Sequence, residues 1–212
     1  ERTAFLECQA AQDEQREGEA LLRALIDRAA GDAREEIGAG ELIVGLKCGG
    51  SDGLSGVTAN PLVGRVADRL VAMGGTALLA EIPEMFGAEG VLFRRCADEA
   101  AARALPELVG DFKDYFVRHG QVVYENPSPG NKAGGISTLE EKSLGCVQKG
   151  GSAPVSDVLR YGETVKKRGL CVLQTPGNDL VSTTALAAAG AQLILFTTGR
   201  GTPFGAPVPT LK

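Results

Sequence analysis

The sequence predicts an α/β fold with a mostly parallel sheet and flanking helices. Three observations carry this. The segment Leu42–Ala80 runs from a buried-type apolar stretch through an amphipathic helix into a second apolar stretch, which is one βαβ unit. The same order recurs near the end of the chain, and no composition shift or fixed-period repeat divides the 212 residues. The expected arrangement is therefore one domain over 1–212, Rossmann-like and doubly wound, with 1–30 assignable to a preceding domain.

Thr3–Cys8 is short and half apolar, which predicts a strand. Gln12–Ala30 carries Leu21, Leu22, Leu25 and Ile26 at helical spacing, with Glu and Arg on the other face. Leu42–Leu46 is the next strand. A Gly/Ser loop over Cys48–Ala59 leads to Asn60 as N-cap and Pro61 as first helical residue of a helix running to Met73, which Gly74–Gly75 ends. Thr76–Ala80 closes the unit. Glu99–Val117 reads as a helix pair, with Pro106 marking a fresh start. A polar loop, Glu125–Ser137, contains Pro127, Pro129, Gly130, Gly134 and Gly135, and ends in Ser137-Thr138-Leu139-Glu140, a capping box opening another helix. Val155–Leu159, Leu170–Leu173 and Leu193–Thr197 are strands, with a small-residue helix over Val181–Ala189.

The 29 glycines are about twice the usual ~7% share, and low-complexity tracts are absent, so the excess points to tight turns and close backbone approaches. Function should reside in the loops. The net charge of −5, with scattered Lys and Arg, argues against nucleic acid and anionic membrane surfaces as partners. No stretch reaches the ~18 apolar residues of a membrane span and no leader opens the chain, so the expected location is cytoplasmic. Five widely spaced cysteines make a poor disulfide framework. The chain opens at Glu1 without an initiator Met, and reads as a piece of a longer protein.

Ligands of parallel sheets collect at the carboxyl ends of the strands. Four segments stand there. Lys47-Cys48-Gly49-Gly50-Ser51-Asp52-Gly53 lets backbone approach a ligand that Cys48, Ser51 and Asp52 can reach; it serves equally as a tight turn with an Asp cap and a buried Cys. It is neither a Walker loop nor a dinucleotide fingerprint. Glu81-Ile82-Pro83-Glu84 offers two carboxylates for a divalent cation or acid–base work, or an ordinary surface pair. The proline-stiffened loop presents Asn131 and Lys132. Phe196-Thr197-Thr198-Gly199-Arg200-Gly201-Thr202-Pro203 places an Arg suited to a carboxylate between hydroxyls. The lone His119 reads as a helix-end residue, so no Ser-His-Asp or His-based zinc arrangement is available.

Together these strings, with Ser55–Pro61, Glu141–Cys146, Thr175–Asp179 and Phe196–Gly205, resemble the altronate/galactarate dehydratase family, to which sulfolactate sulfo-lyase large subunits are similar. Glu81–Glu89 and Asn126–Lys132 look more like the altronate branch. The resemblance implies a hydro-lyase converting D-altronate to 2-dehydro-3-deoxy-D-gluconate in hexuronate catabolism, with galactarate dehydratase and sulfolactate sulfo-lyase as alternatives. It also implies iron as cofactor, either a ferrous ion or an iron–sulfur cluster. Cys48 and Cys146 are then the expected metal ligands, completed by upstream cysteines. Arg200 is expected to hold the substrate carboxylate, and Ser51, Asp52, Asn60, Asn131, Thr198 and Thr202 to read sugar hydroxyls. Lys132 or Glu81 is the expected base. Expected partners are a small sugar acid and further copies of the chain. Family members are roughly twice this length, so the piece alone is expected to be inactive. The reading from another class is a non-catalytic structural or oligomerisation domain.

Overall fold

The computed structural model describes residues 2–212. It contains two compact units, Glu1–Ile37 and Gly38–Lys212. In the first, α1 (Glu14–Ala29) starts at Asp13, whose side chain accepts the Arg16 N–H; Glu14 and Glu17 in the first turn and Arg28 in the last complement the helix dipole. The strand expected over Thr3–Cys8 is absent. A strand exists only through a ladder partner, and this segment instead runs irregularly into a turn in which the Ala10 and Ala11 N–H groups donate to the Glu7 carbonyl.

The second unit is built on a six-stranded, all-parallel sheet in the order β3-β4-β2-β1-β5-β6, with β1 Ile43–Cys48, β2 Thr76–Leu79, β3 Val155–Leu159, β4 Gly169–Leu173, β5 Leu193–Thr197 and β6 Thr210–Leu211. This is the α/β fold the apolar runs predict. Side chains alternate across the strands and both faces are covered. Ala77 and Leu79 join Val44, Leu46, Leu170, Val172 and Leu195 beneath α3 (Ala59–Ala72) and α5 (Glu99–Arg118), and Leu92 of α4 (Glu89–Phe93) belongs to the same cluster. Leu78, Ala80, Cys171, Leu173, Ile194 and Phe196 pack on the other face with Ala185, Leu186 and Ala189, of which the first two lie in α8 (Asp179–Ala188). Strands buried on both faces need apolar residues at every position, which is why they read as continuous runs.

The strand order places β1 at a switch point. From β1 the chain crosses to β2 on one side, fills the outer positions with β3 and β4, and returns to lay β5 on the other side of β1. Loops at the carboxyl ends of β1, β2 and β5 therefore diverge around one crevice.

Four local expectations are corrected. α3 begins at Ala59 after Thr58, so Asn60 is its second residue, with its amide buried rather than capping. α5 is continuous through Pro106. The ring forfeits one backbone hydrogen bond, while Leu105, Leu108, Val109 and Phe112 bury the same face on both sides of it; packing outweighs the lost bond. The polar loop contains a short helix α6 (Pro129–Ala133), with Ser128 as N-cap in a reciprocal box with Asn131. The helix that follows, α7 (Leu139–Val147), is capped one residue later than expected: Thr138 accepts the Glu141 N–H, and Glu141 reaches back to Ser137. His119 caps the end of α5, exposed, with Nδ1 2.8 Å from the Tyr115 carbonyl.

Candidate functional site

A buried cluster of charges lies under the carboxyl ends of β1 and β2. Lys47, on β1, is fully buried; its Nζ donates to Glu81 Oε1 and the Cys48 carbonyl at 2.5 Å each and to Asp179 Oδ1 at 2.8 Å. Glu81 follows β2 in the left-handed conformation (φ 70), held by its N–H donating to Thr175 Oγ1 at 2.8 Å. Its second oxygen accepts the Cys48 N–H at 3.0 Å and faces Lys149 Nζ at 3.4 Å. Lys149 comes from a 3-10 turn, Gln148–Gly150, just after α7. That turn is seated on α3 by close contact: a Cβ added at Gly64 would lie 2.1 Å from the Gln148 carbonyl oxygen. Asp68 of α3 also accepts the Ser152 and Ala153 N–H groups at 2.7 and 2.9 Å.

Two thiols complete the cluster. Cys48 Sγ lies 2.9 Å from Lys149 Nζ and 3.5 Å from Cys146 Sγ. The hydrogen bond from Cys146 lowers the Cys48 pKa to about 7 against the opposing effect of burial, and the Lys149 charge helps. Cys146 is pushed the other way by that same bond and by burial, so it keeps its proton and donates it. Burial disfavours the Lys149 ammonium, yet the charges of Cys48, Cys146 and Glu81 hold it well above the ordinary lysine value. Burial likewise pushes Glu81 up, but Lys47 and Lys149 bring it below the ordinary carboxylate value.

Above this cluster opens a cavity of about 290 Å³ lined by Cys48, Gly49, Gly50, Ser51, Glu84, Asn126, Ser128, Asn131, Lys142, Gly177, Asp179 and Arg200. Lys142, on α7, points Nζ at Asn126 Oδ1 (2.7 Å), Asn131 Oδ1 (3.0 Å) and Glu84 Oε2 (3.0 Å). Asn131 in turn donates to the Ser51 carbonyl at 2.9 Å, so the α6 cap, the β1 loop and α7 form one hydrogen-bonded rim. Arg200 has no carboxylate partner among the described residues, and its guanidinium lies so close to Gly130 that a Cβ there would be 2.4 Å from Nη2.

Of the residues singled out in the sequence, Cys48, Ser51, Glu84, Asn131 and Arg200 line this cavity. Thr198 is beside it: its buried Oγ1 has no hydrogen-bond partner among the described residues and lies 3.1 Å from where a Cβ on Gly50 would stand. Glu81 lies beneath the floor and is enclosed by two lysines. Cys146 lies behind Cys48 and, with Asp52 and Asn60, lines a neighbouring cavity of about 400 Å³. Asp52 caps α2 (Gly53–Val57), accepting the Ser55 N–H at 2.7 Å. Asn60 bridges the Thr197 hydroxyl and the Gly145 carbonyl. Lys132 is exposed on α6 and Thr202 accepts the Phe204 N–H; neither lines the cavity. Sequence reasoning missed Lys47, Lys149 and the placement of Lys142. For Lys47 there was a signal, a cation inside a buried apolar run; for Lys149 there was none.

The residues present do not fit an iron ion or cluster on their own. Among the described residues no three His, Cys, Asp or Glu side chains converge as a ligand set. The anionic groups around the thiols face ammonium groups already: Lys149 on Cys48, Lys47 and Lys149 on Glu81, Lys142 on Glu84. A cation there would meet three positive charges, Lys47, Lys142 and Lys149.

The six-stranded parallel sheet flanked by helices, with a polar cavity at its switch point, is an α/β domain. The family described as D-galactarate/Altronate dehydratase, C-terminal, matches residues 39–212, and the chain belongs to it. It is 61% identical over 211 residues to the altronate dehydratase of Bacillus subtilis (strain 168), covering 100% of this chain and 42% of that protein. To the altronate dehydratase of Escherichia coli (strain K12) it is 57% identical over 212 residues, 100% of this chain and 43% of that protein. To the galactarate dehydratase (L-threo-forming) of the same strain it is 42% identical over 180 residues, 84% of this chain and 34% of that protein. The chain thus spans less than half the length of these relatives. Among the described residues no helix is long and apolar enough to cross a membrane.

Proposed function

We propose that the 290 Å³ cavity binds a sugar acid for dehydration by the protein that contains this span, with D-altronate as substrate and 2-dehydro-3-deoxy-D-gluconate as product. The observation that carries the reading is the charge layout of the wall. Arg200 is its one cation without a carboxylate partner among the described residues, while Asp179 and Glu84 add negative charge elsewhere. Such a wall favours an acid with one carboxylate over an aldaric acid with two.

Dehydration needs a base for the proton beside the carboxylate and an acid for the departing hydroxyl. The Cys48 thiolate, at the cavity wall and held by Lys149, takes the proton; Arg200 carries the charge that builds on the carboxylate. The Lys142 ammonium protonates the leaving oxygen, water departs, and the enol returns to a 2-keto acid. Lys132 lies outside the cavity and Glu81 beneath it, so this reading gives the proton transfer to neither.

The test is turnover of altronate, galactarate and sulfolactate by a protein of the relatives' length containing this span, beside the 212-residue chain. Altronate should lead, and Arg200→Lys should lower kcat/KM by ~10–100-fold, the weight of a charge-assisted hydrogen bond of about 1.5–3 kcal/mol. Preference for galactarate, or kinetics indifferent to Arg200, would overturn the assignment.

A further inference from the structure

We propose that Cys48 and Cys146 form a peroxide-sensitive dithiol that closes to a disulfide across the cavity floor. Both thiols are free and buried, yet each lines a cavity: Cys48 the 290 Å³ one and Cys146 the 400 Å³ one behind it. The pair is thus a thin partition that a small neutral oxidant can reach. The sulfurs are 3.5 Å apart, and a disulfide needs about 2.05 Å, so closure moves them by about 1.5 Å. Glycines adjoin both, Gly49 and Gly50 after Cys48 and Gly145 before Cys146.

The two sulfurs are also unequal. Lys149 Nζ stands 2.9 Å from Cys48 Sγ and supports its thiolate, whereas Cys146 Sγ lies 3.6 Å from the Glu84 carboxylate, which disfavours a second thiolate there. An attacking and a resolving thiol are therefore already distinguished. The Cys48 thiolate attacks hydrogen peroxide; an S–O bond forms, the O–O bond breaks, and hydroxide leaves to become water with a solvent proton. Cys146 then loses its proton and attacks the sulfenic sulfur; the S–S bond forms, the S–O bond breaks, and hydroxide leaves with that proton as a second water. The sulfurs give up two electrons and one peroxide becomes two waters. Closure consumes the thiolate that Lys149 supports and so removes it from the substrate cavity.

The remaining cysteines are internal controls. Cys8 is exposed and has no neighbouring thiol in the hydrogen-bond network, while burial pushes Cys171 up to about 12. The dithiol rests on the two sulfurs and their surroundings; only the loss of turnover rests on the proposed substrate site.

The decisive measurement is peptide mapping of the 212-residue chain after titration with hydrogen peroxide, with free thiols alkylated before digestion. A Cys48–Cys146 linked peptide should appear, the intact mass should fall by two hydrogens, and dithiothreitol should restore both thiols. In Cys146→Ser, Cys48 should stop as a sulfenic acid captured by dimedone. Cys48 remaining a free thiol once Cys8 is fully oxidised, or passing to sulfinate while Cys146 stays free, would overturn the proposal. Should Cys146→Ser fail to fold, the wild-type map decides by itself. In a protein of the relatives' length containing this span, a linked peptide with no altronate turnover lost would keep the dithiol and reject the substrate role of Cys48.

Discussion

Glu81 stands between two buried lysines, and its removal leaves both short of a partner. Glu81→Gln should cost about 3–5 kcal/mol, the range for breaking a buried ion pair, read as a lower midpoint in urea unfolding. The carboxylate titrates below its ordinary value of 4.5 in the folded protein, so its contribution is present above that pH and drains away as pH falls through the folded value. Wild-type stability should therefore decline below about pH 4.5 more steeply than that of the Gln variant. Lys149→Gln acts on the neighbouring thiol. Without the ammonium 2.9 Å away, the Cys48 pKa should rise by about a unit or more, worth ~1.4 kcal/mol per unit. The pH midpoint of Cys48 alkylation, expected near 7 in the wild type, reports it; an unmoved midpoint would show that Lys149 does not set the thiolate.

At the level of elements, the seat of the Gln148–Gly150 turn on α3 decides where Lys149 stands. Gly64→Ala puts a methyl within 2.1 Å of a carbonyl oxygen that cannot rotate away. The turn should shift, at about 1–3 kcal/mol for overpacking, and the alkylation midpoint of Cys48 should rise with it. Loss of stability with an unchanged midpoint would separate the two effects. Elements whose causes are local were the legible ones. Strands buried on both faces and Gly74 and Gly75 ending a helix announce themselves in neighbouring residues. Pro106 misled because the face that α5 buries overrides one missing N–H. Asn60 misled because a good capping residue was taken up by a long-range contact with Thr197 and Gly145.

On the scale of the molecule, residues 39–212 matched by the family nearly coincide with the unit Gly38–Lys212. A chain of 38–212 should fold by itself and keep the Cys48 alkylation midpoint of the longer one; a shifted midpoint would show that the first unit supports the site. The cavity was legible in outline, because strand ends of a parallel sheet are where Gly-rich polar loops meet ligands. Its floor was not. Lys47, Glu81 and Lys149 come from β1, the turn after β2 and the turn after α7, and no local pattern records that three such distant side chains share a proton-bearing network.

The reach of that network bears on how the protein comes into being. Lys47 joins Asp179 across 132 positions and Lys149 joins Cys48 across 101. Neither bond can form until the intervening strands have been laid down, and contacts so far apart in sequence are made slowly. A nascent or half-refolded chain should therefore hold much of its helix before it has a reactive Cys48. In stopped-flow refolding, the alkylatable thiolate should mature with the slowest phase, well behind the far-ultraviolet signal.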